Sequence, residues 1–373
     1  MCTRTVAQRA DGPRVVLCAT NDLAQDQRLH KMACTLADAG YSPWLVGRLR
    51  PHSQPMAARR YFFTRMRLRF GRGKLFYLEY NLRLFWRLLR MRIDILTAND
   101  LDTLPACFAI ALLRRIPLVY DSHEYFSGSA ELAQRPLERA IWRGLEQLLL
   151  PLLPTRLTVS QQVVDAYRAD GYGFALVRNL PYALPAPSPP PAAESRILLY
   201  QGMLNAGRGL PWLVEALPLL PGWQAWIVGD GVMRAPLEAQ ARQLGVAHRI
   251  RWWGMQPFQQ LPHITAQASI GLSIEDNESL NNRYSAPNKL YDYLQARLPV
   301  VVTPQPEHSA LVQQYGLGVV MQGFSGRALA YAVQQLVPHY AQYQQQAELA
   351  ARQLHWHRQA PQVLELYQAA RPL

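Results

Sequence analysis

Three short segments carry residue types whose spacing suits chemistry on an anionic ligand. The first runs Tyr200-Gln201-Gly202-Met203-Leu204-Asn205-Ala206-Gly207-Arg208-Gly209-Leu210, between an apolar run and a helical pattern. Small residues let a backbone approach a ligand closely. A helix start offers free N–H groups and a partial positive charge that suit a diphosphate, and Arg208 adds a forked, always-charged donor. An ordinary strand-to-helix turn with a surface arginine has the same local pattern. The second segment is Ser285-Ala286-Pro287-Asn288-Lys289-Leu290-Tyr291-Asp292-Tyr293-Leu294. It delivers Lys289 at a helix start, with Asp292 on a neighbouring face three positions on. A cation for phosphate and a carboxylate for ribose hydroxyls is the pair a nucleotide needs, although a surface Lys–Asp pair reads alike. The third, Val119-Tyr120-Asp121-Ser122-His123-Glu124, sets His123 at the end of a buried-looking strand. There it can bond a hydroxyl or handle a proton near neutral pH, and Glu124 is a second acid/base or orienting candidate. A further turn, Gly229-Asp230-Gly231, is explained by turn geometry as well as by ligand binding.

Residues 59–92 collect eleven Arg and Lys side chains against the single acid Glu79, interleaved with aromatics that include Phe85 and Trp86. From Leu75 onward the spacing predicts a helix. Leu75, Leu78, Leu82, Phe85 and Leu89 are expected on one face, and Arg83, Arg87 and Arg90 on another. Three readings stay open: a core helix with a solvated basic face, attachment to an anionic membrane surface, and nucleic-acid contact. The last is disfavoured, because no recognised RNA or DNA module accompanies the segment.

These residues need a scaffold, and the chain supplies one twice. Short apolar, β-branched runs alternate with amphipathic segments: Arg14–Ala19, Pro43–Gly47, Ile93–Thr97, Pro117–Asp121, Leu157–Ser160 and Leu176–Asn179, then Ile197–Gln201, Gln224–Val228, Ile250–Trp253, Ile270–Ser273 and Pro299–Thr303. Buried parallel strands read as continuous apolar runs, and alternation with helices implies βαβ units in doubly wound sheets. Leu29, Met32, Ala33 and Leu36 share one helix face, with Gly40 as its C-terminal stop. A proline-rich stretch within 181–195 divides two similar halves. The expected domains are residues 1–183, a linker 184–195, residues 196–345, and a C-terminal helix, 346–373, expected to pack back on the first domain, with Trp356, Leu364 and Tyr367 placed to anchor it. The 373 residues suffice for two cores. A net charge of +13 attracts anions without choosing among them. Cys2, Cys18, Cys34 and Cys107 form no CxxC pair and read as reduced thiols of a cytosolic protein. No His/Cys/Asp cluster has metal-ligand spacing, and no apolar stretch approaches the length of a spanning helix or signal core.

Taken in order, the segments resemble the glycosyltransferases of the GT-B fold, specifically the large family 4 group. The family loop G-x-L-x-x-x-(K/R)-G, which holds the diphosphate, falls on Gly202, Leu204, Arg208 and Gly209. Its S-x-P-x-K-L-x-(E/D)-Y segment falls on Ser285, Pro287, Lys289, Asp292 and Tyr293. Of two family glutamates eight positions apart, the second is matched by Asp292 and the first by Tyr284, a departure that leaves Glu275 and Glu278 as unaligned substitutes. Met203 stands where some members have arginine. Asp26-Gln27-Arg28 and Asp100-Leu101-Asp102-Thr103-Leu104-Pro105 also look like the family; Asp102 is read as the N-terminal cap of the following helix. The resemblance implies an α/β protein of two Rossmann-like, doubly wound domains facing across a cleft. It implies sugar transfer from a nucleotide-sugar to a glycan or lipid-linked acceptor, with retention, no metal and no cofactor beyond the co-substrate. It also implies a place at the inner membrane face. Donor contacts would come from Gly202, Leu204, Arg208, Gly209, Ser285, Lys289 and Asp292, catalysis from His123 and Glu124, and acceptor or membrane contact from Arg83, Trp86, Arg87 and Arg90. A nucleotide-sugar epimerase of the same fold, or a binding scaffold without turnover, are the alternatives.

Overall fold

Most of the apolar runs become parallel strands in two separate sheets. The computed structural model describes residues 12–24, 26–51, 53–125, 135–184, 192–278, 283–284 and 288–373. It divides the chain into one unit of Met1–Arg178 with Gln359–Leu373 and another of Asn179–Arg358.

In the first unit β1 (Arg14–Cys18), β2 (Ser42–Leu49), β3 (Phe62–Arg67), β4 (Ile95–Asn99), β5 (Leu118–Ser122), β6 (Thr155–Thr158) and β7 (Ala175–Leu176) pair all-parallel in the order β3-β2-β1-β4-β5-β6-β7. Helices supply the crossovers. Along α1 (Gln27–Asp38) the four predicted positions Leu29, Met32, Ala33 and Leu36 are all fully buried. Asp26 caps α1 by accepting the Leu29 N–H, and Gly40 takes the left-handed position after its end, at φ 86°.

The structure departs from the sequence pattern at several elements. Strand β3 was unforeseen: it is an edge strand whose alternate arginines hide the pattern, with Phe62 stacked on Trp44. Along α2 (Lys74–Leu88) the buried face is Phe76, Tyr80, Leu84 and Leu88, while Leu75, Leu78, Leu82 and Trp86 are exposed. Apolar residues ring this helix, so spacing alone did not select the side that meets the sheet. Asp102 does not cap α3 (Leu104–Arg114). The Asn81 side chain, from α2, accepts the Ala106 N–H and donates to the Asp102 carbonyl. Strand β6 starts two residues early, and Ser160 instead caps the next helix by accepting from Val163.

The C-terminal helix Trp356–Gln368 carries Val363 and Tyr367 into the first unit's core, where the Tyr367 hydroxyl lies 2.9 Å from Thr97 Oγ1; Leu364 is only half-buried. Residues 346–358, grouped with this tail in sequence, pack in the second unit through Ala347, Ala350 and Leu354.

In the second unit β8 (Ile197–Gln201), β9 (Gln224–Val228), β10 (Ile250–Gly254), β11 (Ile270–Ser273), β12 (Val300–Val302) and β13 (Gly318–Val320) form a parallel sheet in the order β10-β9-β8-β11-β12-β13. Leu198, Tyr200 and Val301 enter the core on one face, and Leu199, Val300 and Val302 the core on the other. Both faces are covered, which is why these strands read as unbroken apolar runs. The short edge strand β13, broken by glycine, escaped notice. Among the linker residues, 185–191 lie outside the described residues.

Candidate active site

Open α/β sheets bind ligands beyond the carboxyl ends of their strands, where the strand order reverses. In the second unit that point lies between β8 and β11, and the glycine-rich loop leaves β8 there. Its backbone is built on close approach. Gly229 stands so near Gly202 that a Cβ would fall 1.9 Å from the Gly202 oxygen, and Gly231 meets Leu204 in the same way. The Leu204 N–H bonds the Asp230 carbonyl. The Gly229-Asp230-Gly231 turn is therefore the platform for the loop. Leu204 is fully buried and anchors the loop from below. Gly209, at φ 63°, opens α5 (Leu210–Ala216), where a side chain would strike Trp212 and Ile274.

Arg208, at the end of the loop, meets Lys289 through a shared carboxylate. Lys289 and Asp292 lie on α6 (Asn288–Gln295), Asp292 half-buried one turn beyond the lysine. Tyr293 of α6 is buried; its hydroxyl accepts the Gln201 N–H and reaches the Leu199 and Leu272 carbonyls, so it ties α6 to the ends of β8 and β11. Lys289 Nζ lies 4.6 Å from the Tyr200 ring centre. The shared carboxylate is Glu275, just past β11. Its Oε1 is 2.5 Å from Arg208 Nη1 and 3.3 Å from Lys289 Nζ. Sequence reading left Glu275 unassigned because it falls outside the eight-residue spacing; its signal was an acid directly after a buried strand. Buried His308, from α7 (Pro306–Tyr315), has Nε2 3.5 Å from Ser273 Oγ. Burial, reinforced by Lys289 and Arg208, lowers its pKa to about 4, so it is neutral. Ser285 lies outside the described residues, and Tyr284 is half-buried.

The first unit carries its own cluster at the β1/β4 reversal. Asp121, at the end of β5, is fully buried and held by Arg28, whose Nε and Nη2 donate at 2.9 and 2.8 Å. The Asp-x-Arg pair of the sequence thus splits into a helix cap and a buried counter-ion. His123 lies between two carboxylates: Nδ1 is 3.2 Å from Asp100 Oδ2 and Nε2 is 3.5 Å from Asp121 Oδ2. Asp100 also accepts the His123 backbone N–H at 2.7 Å, from a left-handed backbone (φ 63°) unusual for a non-glycine residue. Burial opposes a charge on His123, but Asp100 and Asp121 outweigh it and raise its pKa well above the usual value. The two carboxylates thus favour the charged form of the His123 imidazole. Asp102 accepts from Thr20 Oγ1 at 2.6 Å, and burial, with Asp100 beside it, pushes its pKa up to about 8. Glu124, the next residue, is half-buried.

The basic helix divides differently from expectation. Arg87 turns inward to Thr64 Oγ1 at 3.0 Å, whereas Arg83, paired with Glu79 at 2.8 Å, and Arg90, over the Trp86 ring, stay exposed. The exposed leucines of α2 have company. The Tyr77 ring packs on Trp142 of α4 (Pro136–Leu149), and α4 leaves Leu137, Ile141 and Leu148 between 65% and 78% exposed. Among the described residues no helix is long and apolar enough to cross a membrane, and no group of three or more His, Cys, Asp or Glu could hold a metal ion.

Comparison with known proteins gives the following matches. A family model described as Glycosyltransferase Family 4 matches residues 25–178, and one described as Glycosyl transferases group 1 matches residues 195–339. A lipopolysaccharide core biosynthesis glycosyltransferase of Rhizobium meliloti, LpsE, is 36% identical over 64 residues, a match spanning 17% of this chain and 19% of that protein. Among solved structures, sucrose-phosphate synthase from Thermosynechococcus elongatus aligns over 95% of this chain and 98% of its own, with 17% identity and a TM-score of 0.76. Anabaena HepE, in complex with UDP and glucose, aligns over 96% of this chain and 100% of its own, with 16% identity and a TM-score of 0.74. At these identities the structures speak for the fold.

Proposed function

The chain belongs to the family 4 glycosyltransferases of the GT-B fold, and from that premise we propose that it moves a sugar from a nucleotide-sugar to a lipid-linked or polysaccharide acceptor, with retention and without a metal ion. One observation carries the reading: Arg208 and Lys289 converge on a single carboxylate at the strand-order reversal of the second unit. Two fixed cations at that point suit a diphosphate. They stabilise the negative charge that grows on the leaving group, which is where electrostatic help lowers a barrier most. Asp292 holds the ribose hydroxyls, and Gly202 and Gly209 keep the loop backbone close to the phosphates. In the first unit His123, its ring nitrogens facing Asp100 and Asp121, supplies positive charge near the substrates. Glu124 is the adjoining acid/base candidate. The exposed apolar residues of α2 and α4, with Arg83 and Arg90 beside them, attach the protein to an anionic membrane surface.

The test is a thermal-shift screen against UDP, GDP, ADP, TDP and CMP, repeated with Lys289→Ala and Asp292→Ala. A ligand that binds only the folded state raises the melting temperature by mass action. The expected result is a rise with one nucleoside diphosphate that both variants lose. No rise with any nucleotide, or a rise that both variants keep, counts against the assigned site.

A further inference from the structure

Glu275 is the most buried of the three charged side chains of the donor cluster. Its side chain is 4% exposed. Its backbone N–H donates to Thr303 Oγ1 at 3.0 Å, and Gln305 Nε2 donates to its carbonyl at 3.2 Å. The next residue, Asp276, donates its N–H to the Gly207 carbonyl at 2.9 Å and accepts from Gln305 Nε2 at 2.5 Å. The segment is thus stitched to the glycine-rich loop on one side and to the turn after β12 on the other. The backbone that carries Glu275 is fixed on both flanks, and its buried carboxylate stands against Arg208 and Lys289 where an anion would arrive.

The charges are then in conflict. Two cations facing one carboxylate leave a single net positive charge. A diphosphate brings at least two negative charges to the same place. Like charges a few ångströms apart in a partly buried site repel far more strongly than in water.

Taking the reading that Arg208 and Lys289 receive the diphosphate, we propose that Glu275 is a fixed competitor for those two cations, a positioning residue that weakens the hold on the nucleoside diphosphate product and so hastens its departure. A carboxylate that only braces the loop has the opposite effect: its removal weakens binding.

The experiment is calorimetric titration of the full chain with inorganic pyrophosphate, which carries the shared chemistry whatever the base, and with uridine as the uncharged control. Glu275→Gln keeps an acceptor for Arg208 and removes the charge. Glu275→Met, of similar length, is a second neutral variant, and urea midpoints report folding. The expected result is pyrophosphate binding tighter by on the order of tenfold in the neutral variants, uridine binding unchanged, and pyrophosphate binding lost in Arg208→Ala and Lys289→Ala. Unchanged or weaker pyrophosphate binding in a folded neutral variant overturns the proposal, as does unfolding of both variants, which would make Glu275 structural. Full pyrophosphate affinity in Arg208→Ala and Lys289→Ala is a different failure: it removes the diphosphate site itself, and this inference with it.

Discussion

Burial and neighbouring charges together, rather than residue type, set the charge of the groups at the strand ends of the first unit. Asp102 is the clearest case, since burial and Asp100 push its pKa to about 8. The unfolded value is about 3.9. The stability this group lends is therefore full below pH ~4 and is lost as the pH climbs through about 8. Asparagine imitates the neutral acid and still accepts from Thr20. Asp102→Asn is expected to gain up to about 5 kcal/mol over the wild type at pH 8 and nothing at pH 4, since each tenfold change in proton affinity on folding is worth about 1.4 kcal/mol and the shift spans about four of them. Urea unfolding at the two pH values checks this, and a variant less stable than the wild type at pH 8 would refute it. The sequence showed Asp100, Asp102, Asp121 and His123 as neighbours in two short motifs, but not that Asp102 turns inward to Thr20 while Asp100 and Asp121 clamp the imidazole. Those outcomes depend on which strand ends meet, a long-range fact. Glu275 was not legible for the same reason: β11 delivers it between two cations, one from the glycine-rich loop and one from α6.

At the scale of elements, local pattern fails only where tertiary contact decides. The central strands were legible because both faces are buried and the runs are continuous. Edge strands β3 and β13 were not, because one side has no partner strand and arginine or glycine interrupts the pattern. For α2 the helix itself was legible but its buried face was not. Glycines show the same division between local and long-range causes. Gly245 has φ 69° with nothing within 4 Å of a new Cβ, while Gly229 has φ 135° and the Gly202 carbonyl oxygen 1.9 Å away. Alanine at 245 costs only the left-handed backbone, about 1 kcal/mol. Alanine at 229 adds a clash with immovable backbone and is expected to cost more than about 3 kcal/mol, the range of diagnostic core defects. Nucleotide protection should vanish with Gly229→Ala and persist with Gly245→Ala. Similar urea midpoints for the two would refute the platform role of the Gly229 turn.

At the scale of the whole chain, the proline-rich break told of two halves, and the two family matches each fall within one structural unit. The return of residues 359–373 to the first unit was hinted at by Tyr367 but not its partner Thr97, since one aromatic on a helix does not name the strand it meets. The net charge of +13 was visible at once, yet charge alone did not separate a solvated face from a membrane face. Side-chain exposure adds a second observation. Leu78 and Leu82 are 57% and 54% exposed beside Arg83 and Arg90, so the helix offers water both apolar area and positive charge. If this surface attaches to lipid, two terms must appear independently. The electrostatic term needs anionic lipid, is worth about 1 kcal/mol per basic residue near the surface, and fades as salt shortens the Debye length. The apolar term survives salt and disappears when the leucines go. Flotation with anionic vesicles should therefore recover wild type at low salt and less of it at high salt. Neutralising Arg83 and Arg90 should lower recovery at low salt, and Leu78→Ser with Leu82→Ser should lower it at every salt concentration. Neither change should move the urea midpoint by much, because these side chains face solvent. Neutralising Arg87 should instead lower the midpoint through its lost bond to Thr64. Equal recovery of the double leucine variant and the wild type would leave the exposed leucines as ordinary surface and remove the membrane reading.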